Sequence, residues 1–168
     1  MKTLKAFLFL SLTFFSGYSF AQSIEGRVTL SGLSHNTTLK EDTAVDFFKS
    51  FKDGKYKINF SFKAKDVNKR NIVLFDMKTT IKLNGKTIAK SVREGWAWLP
   101  GDMYVPVEAF DLIPGLQKAG SVSLSRIPPD KMDTTLPKGK YEITLEMDPS
   151  STAIKGKVKP LTFSFTVK

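Results

Sequence analysis

Three segments of the chain alternate apolar and polar residues with a period of two, a pattern that fits little besides β-strands with one buried face. In residues 55–65, Tyr56, Ile58, Phe60, Phe62 and Ala64 fall on one side, and Lys55, Lys57, Asn59, Ser61, Lys63 and Lys65 on the other. In residues 139–147, Tyr141, Ile143, Leu145 and Met147 oppose Lys140, Glu142, Thr144 and Glu146. In residues 159–167, Leu161, Phe163, Phe165 and Val167 oppose Thr162, Ser164 and Thr166. Sheets with one wet face are characteristically antiparallel, so the expected class is all-β.

Weaker signals fill the intervals. Residues 24–30 form a short strand candidate, 71–77 are an apolar run suited to a central strand, and 121–127 alternate through Val122 and Leu124. Residues 79–83 and 86–92 flank Asn84-Gly85, a pair that tolerates positive φ and suits a two-residue hairpin. Asp53-Gly54 marks a second turn. Residues 44–51 are two-valued: Ala44, Phe47, Phe48 and Phe51 have helical spacing, whereas Val45, Phe47 and Phe51 also permit a strand. Pro106, Pro114 and Gly115 allow at most a helical turn near Leu116. About eight strands at a spacing near ten residues predict an antiparallel β-sandwich, with a small barrel as the alternative. The run Leu136-Pro137-Lys138-Gly139-Lys140-Tyr141 resembles the turn that leads into a strand in immunoglobulin-like sandwiches. That likeness is architectural, because the disulfide and buried Trp of antibody domains are missing.

The amino terminus is set apart from the fold. Lys2 and Lys5 precede an apolar run over residues 6–15, and Ser19-Phe20-Ala21 offers small residues where a signal peptidase reads. Residues 1–21 are therefore expected to be a cleaved signal peptide and 22–168 a single exported domain, periplasmic or extracellular, with no transmembrane segment left in the mature chain. No cysteine follows, so the domain must be stable without disulfides.

Of 168 residues, 26 are Lys or Arg and 16 Asp or Glu, a formal charge of +10 that falls to +8 without Lys2 and Lys5. Residues 40–93 are strongly basic and 94–154 net acidic. Alternating lysines suit the solvated face of strands and protect exposed edges against aggregation, and the same residues offer a basic face to lipid headgroups, acidic polysaccharide or an acidic protein. With few arginines and an export signal, nucleic acid is not an expected partner.

One histidine and no cysteine exclude thiolate metal sites, cysteine nucleophiles and two-histidine catalysis. His35, in a Ser-His-Asn-Thr-Thr loop, has no nucleophile elbow to serve, and Ser91 beside Lys90 points away from it on a strand. Met77, Met103, Met132 and Met147 are scattered and suit core packing better than copper. Asn36-Thr37-Thr38 and Asn59-Phe60-Ser61 match the glycosylation sequon. Glu94, Asp102, Glu108 and Asp111 cluster in sequence without a recognisable catalytic or calcium motif.

The densest unusual stretch is residues 95–106. Trp96 and Trp98, two apart, project to one side of an extended chain, and Pro100-Gly101 turns directly after them. The expected ligand- or partner-binding residues are Trp96, Trp98, Asp102 and Tyr104, with no catalytic residue, metal or cofactor. The expected function is a non-enzymatic binding or accessory protein of the cell envelope that engages a protein, or a glycan, through this aromatic loop. An adhesive subunit assembling by strand exchange and a carboxylate-dependent glycoside hydrolase are the alternatives.

Overall fold

The computed structural model describes residues 22–32, 38–39, 44–66, 70–119 and 136–168. The signal peptide expected at 1–21, His35, the first sequon asparagine, the strand expected at 121–127 and Met132 lie outside the described residues. The fold is all-β, with two antiparallel-rich sheets and few helices.

Its strands are β1 (Ser23–Ser31), β2 (Thr38–Leu39), β3 (Lys57–Lys65), β4 (Val73–Leu83), β5 (Lys86–Trp98), β6 (Gly101–Val105), β7 (Gly139–Pro149), β8 (Lys155–Lys159) and β9 (Leu161–Val167). One sheet has the order β6-β3-β1-β8 and the other β2-β9-β7-β4-β5. The alternation of the three strong segments is reproduced residue by residue: Tyr56, Ile58, Phe60 and Phe62 are buried, as are Tyr141, Ile143, Leu145 and Met147, and Leu161, Phe163, Phe165 and Val167. These side chains join one hydrophobic core to which both sheets contribute. The sheets meet through aromatic rings: Phe60 and Phe62 of β3 each lie edge-on to Phe75 of β4, at 5.1 and 5.0 Å.

The two strands expected at 71–77 and 79–83 are one continuous strand, β4, between β7 and β5. It is not apolar on both faces. Leu74, Asp76, Lys78 and Lys82 look outward, where Asp148 accepts a hydrogen bond from Lys78 at 2.7 Å and Glu142 one from Lys82 at 2.9 Å. The Asp148 carboxylate holds the Lys78 ammonium above the ordinary lysine range. Asn84 and Gly85, both at positive φ, close the β4–β5 hairpin in two residues, with Leu83 opposite Lys86.

Residues 44–52 form a helix, α1 (Ala44–Lys52), and the physical reason is Lys49. A strand burying Phe47 and Phe51 would carry Lys49 to the same face, whereas a helix turns it to solvent. Phe47 stacks on Phe165 at 5.0 Å, and Lys49 and Lys52 complement the helix C-terminus. After a 3-10 turn (Val107–Phe110), a second helix, α2 (Leu112–Ala119), is longer than the single turn expected from the sequence. Pro114 sits in its first turn, where a missing N–H costs nothing. Gly115 lets it approach β4, since a Cβ there would come within 2.7 Å of Ile81 Cδ1.

The last turn of chain fixes an edge. β8 runs parallel to β1, with Gly156 opposite Ile24 at φ +113. A Cβ at Gly156 would overlap the Ile24 carbonyl, whereas one at Gly85 meets nothing within 4 Å. Gly85→Ala should therefore cost only the left-handed conformation, about 1 kcal/mol. Gly156→Ala should cost at least about 2 kcal/mol more, because backbone must also move. Urea unfolding midpoints of the two variants measure the difference; equal losses would show that β8 does not lie this close to β1.

Candidate functional site

The chain crosses from one sheet to the other between β5 and β6, and the predicted binding residues lie on either side of that crossing. Trp96 pairs with Phe75 and Trp98 with Val73, both inward-facing partners, so the two indoles do share one face of β5. Their surroundings differ. Trp98 packs against the core and meets Phe60 edge-on at 5.8 Å, with its Nε1 buried and without a hydrogen-bond partner among the described residues. Trp96 is 41% exposed. One tryptophan anchors the crossing and the other is available at its surface.

Asp102 and Tyr104 occupy a different face. They pair with Ser61 and Asn59 of β3, whose inward neighbours are Phe60 and Phe62, so both point to the outer side of the four-stranded sheet. Tyr104 is 52% exposed and Leu99, in the connection itself, 55%. The structure thus leaves Trp96 exposed on the inner side of β5 and Leu99 exposed in the connection, turns Trp98 into the core, and sets Asp102 and Tyr104 together on the outer face of the four-stranded sheet. Leu99 and Leu74, which pairs with Ala97, were not singled out by sequence; their exposure depends on which face of a strand end is left uncovered.

A β-bulge shapes this corner. Between the pairs Phe75–Trp96 and Met77–Arg93, Asp76 opposes both Glu94 and Gly95, and Gly95 takes φ +70 as such a bulge requires. Asp76 holds the bulge: its Oδ1 accepts from the Gly95 N–H at 3.0 Å and from the Ser150 hydroxyl. These two donors, the hydroxyl first, place the Asp76 carboxyl below its ordinary value. On the inner side, Arg93 pairs with Asp111 and lies over the Trp96 ring, 5.6 Å from its centroid. Asp111 itself sits at positive φ at the end of the 3-10 turn, so the cation beneath Trp96 is fixed by the fold.

The other candidates are dispersed. Glu94 is on β5, Asp102 on β6, Glu108 on the 3-10 turn, and Asp111 is taken by Arg93. Among the described residues, no group of three or more His, Asp or Glu side chains is placed to hold a metal. Ser91 donates weakly to the Phe110 carbonyl at 3.4 Å, beside the shorter bond from Thr79, and Lys90 faces away from it. Asn59 of the second sequon donates to Ser31 Oγ at 2.9 Å within the sheet face. Met77 and Met147 are buried and Met103 partly so, as core packing predicts.

Asp76 makes the bulge sensitive to acid. Its folded-state value lies below the ordinary 3.8, so the stability it contributes is complete above 3.8 and is lost as pH falls through the lower, folded value. The Gly95 amide shift in an acid titration should move with a midpoint under 3.8, together with Trp96 emission. Asp76→Asn should abolish that step; a midpoint at or above the ordinary value would contradict the bonding described.

No protein-family model matches the chain, and no curated protein is significantly similar to it in sequence.

Proposed function

We propose that the protein is an exported, non-enzymatic binding module of the cell envelope that takes a protein partner at the β5–β6 corner. Its two sheets are read as an immunoglobulin-like sandwich. Support for that architecture comes from Tyr141, whose buried ring stacks on Phe165 and whose hydroxyl donates to the Pro137 carbonyl at 2.9 Å. A tyrosine that opens a strand and bonds back to the turn before it is a recurrent corner of such sandwiches.

The observation that carries the functional reading is where apolar surface is left uncovered. Among the described residues the exposed large hydrophobics are Leu74, Val92, Trp96, Leu99 and Tyr104. Trp96 and Leu99 stand at the crossing, Leu74 pairs with Ala97 just before it, and Tyr104 is on the outer face of β6. Single exposed apolar residues are ordinary, but Trp96 and Leu99 exposed together at a rigid strand end have the composition of an interface centre. A glycan is the second choice for the same corner, because Trp96 already has Arg93 on one face and offers the other for stacking. Strand exchange draws less support, since β1 is paired on both sides and β9 pairs with β7 and β2 within the chain. A carboxylate-dependent hydrolase draws none from Glu94, Asp102, Glu108 and Asp111, which stand on separate elements.

Trp96→Ala combined with Leu99→Ala should weaken capture of the partner from an envelope extract by about thirtyfold or more, the scale of a hot spot. The fold should survive, because neither side chain belongs to the core. Trp98→Ala is the control that should instead lower thermal stability, through loss of its contact with Phe60. Undiminished capture by the folded double variant would refute the corner as the binding surface.

A further inference from the structure

Strand pairing collects cations from three distant parts of the chain onto one surface. The outer face of the four-stranded sheet carries Arg27 from β1, Lys57, Lys63 and Lys65 from β3, and Lys155, Lys157 and Lys159 from β8. Opposing them on that face are Glu25 and Asp102 alone among the described residues. Register places the charges in rows across the strands: Lys157, Glu25 and Lys63 in one, Lys159, Arg27, Ser61 and Asp102 in the next, Lys155, Ser23 and Lys65 in a third.

The outer face of the five-stranded sheet is built differently. There Lys78, Lys82, Lys90 and Lys140 are interleaved with Asp76, Glu142, Glu146 and Asp148, and two of the lysines close ion pairs. None of the described ion pairs involves the seven cations of the four-stranded sheet. Excess positive charge therefore belongs to one face. Protection of the β8 edge accounts for lysines on β8, but not for the lysines of β3 or Arg27 of β1, strands that are interior to the sheet.

We infer that this face is a docking surface for an anionic lipid bilayer. The cations are spread in two dimensions over strands about 4.8 Å apart, which matches a planar array of charges rather than a single polymer threading a groove. All but Arg27 are lysines, point charges that attract headgroups without demanding a bidentate fit. The side chains between them, Ser23, Thr29, Asn59 and Ser61, supply no aromatic platform for sugar rings. Tyr104 stands only at the rim, on β6, where an amphipathic ring suits the headgroup layer. Each basic residue held at an anionic surface contributes roughly fivefold to partition, an effect confined to about a Debye length of 8 Å at physiological salt.

The test is sedimentation of the full chain with phosphatidylcholine vesicles and with vesicles containing about 30% phosphatidylglycerol, the readout being the gain due to the anionic lipid. Apolar insertion by residues 6–15 contributes to both vesicles and drops out of that gain. The combined variant Arg27→Gln, Lys63→Gln and Lys157→Gln should lose roughly a hundredfold of it. The variant Lys86→Gln, Lys90→Gln and Lys140→Gln removes the same charge from the other sheet, about 10 Å further from the bilayer, and should lose less than about threefold. Circular dichroism confirms that both variants fold. Equal losses in the two variants, no gain from phosphatidylglycerol in the parent chain, or tighter retention on soluble alginate than on the anionic vesicles would each overturn the inference.

Discussion

Phe60 and Phe62 stack on each other at 4.9 Å and each meets Phe75 in a T-shaped contact, and through these rings the two sheets hold each other. Offset and edge-on arrangements satisfy the ring quadrupoles, so the contact has a preferred geometry and not only a buried area. With no cysteine in the chain, no covalent bond shares the task. Because side chains alternate along a strand, seating Phe60 and Phe62 inward obliges Lys57, Asn59, Ser61, Lys63 and Lys65 outward. The distribution of surface charge is thus a consequence of the aromatic core: slipping β3 by one residue would bury lysines and is forbidden by their desolvation.

The crossing between the sheets follows from the same packing. β5 is an edge strand, and Trp98 near its end reaches over Phe60 of the opposite sheet, so the chain is already turned toward β3 when Leu99 and Pro100 carry it into β6. Three residues before Trp98, the bulge at Gly95 adds twist, and Asp76 ties it both to β5 and to the residue after β7. Trp96 is left partly exposed, over an arginine that Asp111 holds in place. Trp98 is covered by Phe60 of the opposing sheet, a contact Trp96 does not share among the described residues.

What the sequence revealed was local. Period-two alternation located β3, β7 and β9 and their buried faces, and Asn84-Gly85 located the hairpin, because each signal depends on residues that are neighbours in the chain. The choice between helix and strand at residues 44–52 was legible in principle from Lys49, which only a helix keeps out of the core. The run at 71–77 hid its outward face because Leu74 is an exposed leucine, and apolar identity does not report side when a strand end is uncovered. Pro114 suggested a break, whereas a proline in the first helical turn is harmless. The grouping of Arg27 with Lys63 and Lys157 was invisible, since it requires knowing that β8 lies parallel to β1 and β3 antiparallel to it. The acidic balance of residues 94–154 likewise dissolved: Glu142 and Asp148 neutralise lysines of β4, and Asp111 neutralises Arg93.

The two proposed surfaces meet at β6 yet are physically separable. Tyr104 lies on the cationic side, in register with Asn59 and Thr29, five residues after the exposed Leu99 of the crossing. Trp96, however, is governed by Arg93, a cation engaged by Asp111 on the inner side of the other sheet, and not by the lysines of β3 or β8. Neutralising the lysine face leaves that arrangement untouched, and replacing Trp96 leaves every cation of the face in register. A chain docked by its four-stranded sheet would hold the β5–β6 corner at the rim of the contact, beside the bilayer and open to a partner. Tyr104, on β6 at that rim, has an amphipathic ring suited to the headgroup layer.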